Sequence, residues 1–236
     1  MRLPILMYHK VDRLPAGVRH PRNYVLPEQF DAQLAALRRW GYETISFDDW
    51  LGFRAGGRAL PERPIILTFD DGYRSVLDVA WPSLAGYGFR ATLFVVSGLL
   101  GGMNRWDADE VQEPLLDSAE VLALQSFGLE IGSHGCTHRA LRGLSDAEAS
   151  TELVQSRRAL ERLVGRPVLA FCYPYGQQDA RIRSLARGAG YGAAVVCSRR
   201  LNSRRTNPLR LARLRIDYTT SVTGLWGMLK GLQFLP

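Results

Sequence analysis

Two adjacent carboxylates, Asp70 and Asp71, follow the apolar run Ile65 to Phe69 in the segment Thr68-Phe69-Asp70-Asp71-Gly72. Parallel α/β architectures bind ligands at the carboxyl ends of their strands, where neighbouring side chains point in different directions. One carboxylate can then hold a metal ion while the other faces a substrate. The plainer alternative is a turn, or an N-cap for the segment from Ser75 onward. The chain carries its own contrast in Ser46-Phe47-Asp48-Asp49-Trp50, where paired aspartates lack the following glycine and read as a helix cap.

Two of the four histidines lie four residues apart in Ser133-His134-Gly135-Cys136-Thr137-His138, behind the apolar run Leu129 to Gly132. One turn at a strand terminus brings both imidazoles to the same side, which is a metal-ligand spacing. No glutamate follows the first histidine, so this is not the zincin motif, and the carboxylate has to come from elsewhere. Asp71 would complete a set of two histidines and one carboxylate with open positions, suited to zinc or another late divalent ion. Cys136, between the two histidines, reads as packing. Phe171-Cys172-Tyr173-Pro174-Tyr175-Gly176 ends a further apolar run in a tight turn. Such a turn either aims backbone amides at a ligand or simply stops a strand with two aromatics on the rim. His9 follows the run Leu3 to Tyr8, whereas His20 sits in a polar loop and receives no role. If the strands are parallel and close together, His9, Asp70, Asp71, His134, His138 and Tyr175 converge on one face.

The elements that must position these residues are short Ile-, Val-, Leu- and Phe-rich runs alternating with segments of helical period, a repeated β/α pattern. Strands are expected at Leu3–Tyr8, Glu43–Ser46, Ile65–Phe69, Ala91–Val96, Leu129–Gly132, Val168–Tyr173, Ala193–Cys197 and Leu211–Ile216. Phe30, Leu34 and Leu37 place an apolar stripe on a helix from Pro27 to Trp40. Ser145 to Glu148 forms a capping box for a second helix that Gly165 and Pro167 stop. Strands apolar on both faces imply a mostly parallel sheet, open or closed into a barrel. No Gly-x-Gly-x-x-Gly follows a strand and no Walker-type loop occurs. The loop Leu99 to Pro114, which carries Trp106, is the longest irregular stretch and reads as the rim of a site.

The chain has 236 residues, 46% of them apolar, and a net charge of 30 − 23 = +7. No apolar run nears the roughly 18 residues of a membrane span. The amino terminus lacks the pattern of a signal peptide, and three scattered cysteines make no disulfide framework, so a cytoplasmic protein is expected. The arginine-rich stretches 181–187 and 199–215 lack interleaved aromatics and read as a solvated basic face, not as a nucleic-acid surface.

Taken together, Thr-Phe-Asp-Asp-Gly at 68–72, His-x-x-x-His at 134–138 and Pro-Tyr-Gly at 174–176 resemble the motifs of the NodB-type polysaccharide deacetylases, metal-dependent carbohydrate esterases. The resemblance covers roughly Pro4 to Asp217. It implies an α/β fold, a distorted (β/α) barrel with fewer than eight complete units, in one catalytic domain spanning 1–236 with a core of about 4–217 and an apolar segment at 218–236. It further implies Asp70 as general base, Asp71, His134 and His138 as ligands of one divalent ion (zinc, with cobalt or nickel as alternatives), and the Tyr175 amide at the oxyanion. Pro174, Tyr175 and Trp106 are the candidates for substrate contact.

Two departures stand out. The third-motif arginine that orients the aspartate in many members is replaced by Cys172, and the late Leu-x-His that supplies the acid is missing. Leu6-Met7-Tyr8-His9 looks like a permuted form of that strand, which makes His9 the expected acid. The substrate implied is an acetylated amino sugar, polymeric or lipid-linked, acted on in glycan or glycolipid biosynthesis. The apolar stretch 225–235 gives either a packed last helix or a peripheral contact with the inner face of an anionic membrane. A deformylase or deacylase acting on another amide, and a non-catalytic glycan-binding relative, are the competing classes.

Overall fold

The computed structural model describes residues 2–231. Seven short strands carry the frame: β1 (Ile5–Tyr8), β2 (Pro64–Phe69), β3 (Thr92–Val95), β4 (Glu130–Ser133), β5 (Ala170–Cys172), β6 (Ala193–Cys197) and β7 (Leu211–Arg215). Each pairs in parallel with the next in sequence. The ring closes where β7 pairs with β1, Leu214 opposite Leu6 and Arg215 opposite Met7. The open-sheet alternative is thereby excluded, and the barrel has fewer than eight strands.

Departures from the expected strands have local causes. The run Leu3 to Tyr8 breaks at Pro4, which has no N–H for a ladder. Arg2–Leu3 accordingly turns away to pair antiparallel with Asn202–Ser203. The strand expected at Glu43–Ser46 stops at Thr44, because Ser46 caps the following helix by accepting from the Asp49 amide.

The helices are α1 (Pro27–Arg39), α2 (Phe47–Arg54), α3 (Trp81–Gly86), α4 (Ser118–Ser126), α5 (Asp146–Val164), α6 (Ala180–Gly188) and α7 (Val222–Lys230). The capping box at Ser145 and Glu148 starts α5, and Gly165 ends it at φ 68°. Strand alternation sorts the apolar residues into two clusters. Outward-facing Leu6, Leu67, Phe69, Leu93, Ile131 and Leu214 pack beneath the helices. Inward-facing Ile5, Ile66, Phe94, Ala170, Val195 and Leu211 meet Phe47 and Trp50 of α2. The Glu130 carboxylate, at the start of β4, accepts from the Phe47 and Asp48 amides at the N-terminus of α2. Thus α2 closes the amino-terminal end of the barrel and leaves the carboxyl ends of the strands for the polar residues.

Residues Leu225 and Leu229 of α7 are buried, and Trp226 packs on Trp40 at 4.7 Å between ring centroids. The apolar face of 225–231 is therefore used in packing, while residues 232–235 of the expected membrane-contact stretch lie outside the described residues. Among the described residues no helix is long and apolar enough to cross a membrane.

Candidate active site

At the end of β2 the chain turns sharply, with Asp71 at φ 74° and Gly72 at φ 79°. The turn sends the two carboxylates to different partners. The Oδ1 atom of Asp71 lies 3.1 Å from His134 Nε2 and 3.2 Å from His138 Nε2. His134 is oriented from behind, since its Nδ1–H donates to the Cys172 carbonyl at 2.7 Å and so leaves Nε2 facing Asp71. The ring of His138 is held by Trp106, stacked at 4.3 Å, and by Tyr175, edge-on at 4.8 Å.

Among the described residues only Asp71, His138 and Tyr175 combine a side chain with positive φ. That conformation is costly and persists only where the surroundings enforce it. For the histidine turn the enforcing group is Glu152 of α5, itself buried, which accepts from the Cys136 and Thr137 amides at 2.7 and 3.0 Å. Both amides bond to one oxygen, Oε2, so Glu152→Ala, which removes that acceptor, should loosen the turn. A divalent-metal affinity about 10–100-fold weaker is expected, measured as a smaller rise in Tm on adding zinc to chelator-treated protein.

The donor set of Asp71, His134 and His138 fits a divalent ion. Ligands about 2.1 Å from a tetrahedral ion sit roughly 3.4 Å apart, close to the two separations found from Asp71. All three side chains are buried, and hydrogen bonding keeps the carboxylate charged. Burial alone would raise the Asp71 carboxyl, but the bonds from His134 and His138 outweigh it and hold it well below the usual range. Cys136 packs with its Sγ 3.6 Å from the Glu152 carbonyl and is not part of this donor set.

Asp70 faces the barrel interior and meets a different environment. Arg213 of β7, fully buried, donates to it through both terminal nitrogens, Nη1 to Oδ1 at 2.6 Å and Nη2 to Oδ2 at 2.7 Å. Burial would raise the Asp70 carboxyl, but the charge and hydrogen bonds of Arg213 prevail and keep it below its ordinary value. The ion pair absent at Cys172 is therefore supplied from the opposite edge of the sequence. Cys172 occupies the space beside it, with Sγ 3.4 Å from Asp70 Oδ2 and 3.1 Å from Arg213 Nη2. Burial, with help from the Asp70 charge, pushes its thiol up to about 11, so it stays protonated. His9, at the end of β1, lies with Nε2 3.9 Å from Asp70 Oδ2.

The rim is fastened by buried polar pairs. Lys10, beside His9, forms an ion pair with Glu113 and donates to the Tyr24 hydroxyl at 3.1 Å. Asn104 accepts from the Glu113 amide at 2.7 Å, which stiffens the loop that carries Trp106. Pro174 is buried, whereas the Tyr175 ring is half exposed at the mouth. His20 contributes through its backbone, its amide donating to Glu110 and its carbonyl accepting from the Asn23 amide. A cavity of about 480 Å³ lies at the opposite end of the barrel, beneath Glu130, Arg90 and Arg166. Its polar groups largely satisfy one another, Arg58 on Asp48 and Asp49 and Glu130 on the α2 amides, and the chemistry lies elsewhere.

Residues 57–194 match the family model described as polysaccharide deacetylase. The chain belongs to the polysaccharide deacetylase family. A poly-beta-1,6-N-acetyl-D-glucosamine N-deacetylase of Staphylococcus epidermidis is 25% identical over 206 residues, covering 79% of this chain and 70% of that protein. BC0361, a polysaccharide deacetylase from Bacillus cereus, superposes with a TM-score of 0.82 at 25% identity, over 97% of this chain and 69% of that one. The Streptococcus pyogenes deacetylase PplD, solved in complex with acetate, shares the fold with a TM-score of 0.85 at 24% identity, over 97% and 98% of the two chains. The span matched by the deacetylase model contains Asp70, Asp71, His134, His138 and Tyr175 but stops short of both His9 and Arg213.

Sequence reasoning missed Arg213 and Glu152, and each left a signal. Arg213 shares the inward alternation of Leu211 and Arg215 on β7, a charge where a buried strand is expected to be apolar. Glu152 falls at helical spacing between Ala149 and Ser156, on the buried face of α5.

Proposed function

We propose that this family member is a metal-dependent hydrolase that removes the N-acetyl group from an acetylated amino sugar of a glycan or glycolipid, its catalytic domain spanning the chain. The observation that carries the reading is the pair of buried, oppositely built carboxylates. Asp71 is turned to two histidines and Asp70 is locked on a guanidinium. A structural turn needs neither arrangement. The sugar named for the staphylococcal relative, N-acetyl-D-glucosamine, supports that substrate class.

Asp71, His134 and His138 would hold the divalent ion. Bound there, it would act as a Lewis acid, polarising the acetamide carbonyl and acidifying water. Asp70 takes the proton of the attacking water. Oδ2 also accepts from the Cys172 thiol, but Oδ1 keeps a second lone pair beyond the one facing Arg213, so the ion pair orients the base without occupying it. His9 delivers a proton to the departing amine nitrogen. Burial lowers its pKa, opposed in part by the Asp70 and Asp71 carboxylates, which makes the imidazolium a stronger acid. The Tyr175 amide, on a turn held at φ 58°, is assigned to the developing oxyanion. Trp106 and Tyr175 offer flanking aromatic surface for the sugar, above the buried Pro174.

Arg213 also weighs against a non-catalytic glycan-binding role, because a binding module has no use for a reoriented base. The test is acetate release from N-acetylglucosamine oligomers by chelated protein reconstituted with zinc or cobalt. Release is expected only after reconstitution. Stoichiometric metal uptake with no acetate from any acetylated amino sugar would overturn the reading, and formate from a formamido sugar would move it to another acyl group.

A further inference from the structure

The inner face of β7 carries a second arginine, Arg215, two residues beyond Arg213 and nearer the mouth. It lies opposite Met7 in the register of β1, close enough to His9 for its charge to disfavour the protonated imidazole. The two arginines differ in one respect. Arg213 is neutralised by Asp70, whereas among the described residues no carboxylate lies within ion-pair distance of Arg215. One terminal nitrogen donates to Asn23 Oδ1 at 2.8 Å, and its buried Nε has no partner. A guanidinium offers five N–H donors in a fixed fork that matches phosphate and carboxylate oxygens. Removing that charge partly from water without a counter-charge is costly.

The charges around it sharpen the point. Asp70 is matched by Arg213, and Asp71 is committed to His134 and His138. Arg22, on the adjoining loop, is exposed and only 3.8 Å from Asp217. The β7 side of the mouth therefore has a residual positive charge aimed at the space where substrate must enter.

We propose that Arg215 is a substrate-recognition residue for an anionic group, a phosphoester or a carboxylate, carried by the acetylated amino sugar or by the unit next to it. The assignment rests on the deacetylase reading and narrows its substrate class. Three substrates test it: N,N′-diacetylchitobiose, the same disaccharide bearing a 1-phosphate, and a disaccharide of N-acetylglucosamine and glucuronate. The native enzyme should favour at least one anionic disaccharide over the neutral one by about tenfold or more in kcat/KM, mainly through KM, the range of a charge-assisted hydrogen bond. The arm that gains identifies phosphate or carboxylate as the recognised group.

Arg215→Gln should collapse that ratio and Arg215→Lys should restore part of it. No anionic preference in the native enzyme, or an unchanged ratio in Arg215→Gln, would overturn the assignment. If Arg215→Gln fails to fold, the native ratio still decides. If no disaccharide releases acetate, the hydrolase reading fails separately, and calorimetry with the same three sugars decides the subsite. Tighter binding of an anionic sugar, lost in Arg215→Gln and partly kept in Arg215→Lys, supports it, and equal binding of all three overturns it.

Discussion

Asparagine at position 70 is expected to lower kcat for acetate release by about 10²–10⁴-fold, the range of a positioned general base, with KM changed far less. The substitution is nearly isosteric, but its amide nitrogen can no longer accept a proton and turns a donor toward Arg213 Nη2, where Oδ2 accepted one at 2.7 Å. Leaving a buried guanidinium incompletely paired is also expected to lower stability by up to about 3–5 kcal/mol. Metal uptake separates the two effects. Asp71, His134 and His138 are untouched, so Asp70→Asn should still bind one divalent ion by titration while failing to turn over. Activity within tenfold of the native enzyme would remove Asp70 from the mechanism.

The second large effect belongs to Arg213. In Arg213→Met the Asp70 carboxylate stays buried and loses the charge that offsets burial, so its pKa should move upward and the base should be partly protonated near neutrality. A loss in kcat is expected that shrinks as the pH is raised. Stability carries the opposite signature. The native pair holds the Asp70 pKa down, so its contribution is present above the ordinary carboxylate pKa and fades as the pH falls through the depressed folded value. In Arg213→Met the raised folded pKa reverses the sign. Measured by denaturant unfolding of chelated protein, the penalty should be about 3–5 kcal/mol at neutral pH and should diminish in acid. Cys172→Ala removes a thiol contact at 3.4 Å but leaves the guanidinium, and should cost much less activity than Arg213→Met. Equal losses would mean that the thiol, not the arginine, orients the base.

The strands, their parallel pairing and the convergence of Asp71, His134 and His138 were legible because each is written locally, whereas closure into a barrel came only from the family resemblance. An apolar run ends in a polar motif, and the motif's spacing brings its own residues together. Arg213 was not legible as the partner of Asp70, because 143 residues separate them and only the closing of β7 on β1 brings them within 2.6 Å. Glu152 was hidden for a related reason. Its three bonds go to backbone and hydroxyl groups of a turn on another element, which leave no pattern in side-chain types. The positive φ of His138 and Tyr175 was equally unreadable, since neither residue type announces it. Pro4 did announce the break in the first strand, through the missing N–H.

The three prospective metal ligands all lie between Asp71 and His138, at the ends of β2 and β4, which only β3 separates in sequence and in the sheet. The groups proposed to act with Asp70, His9 and Arg213, come from the first and last strands of the ring. A chain still open at that seam would keep His9 beside Asp70 but leave the Asp70 carboxylate without Arg213. The proposed base thus gains its counter-charge only on closure, in the same step that completes the fold.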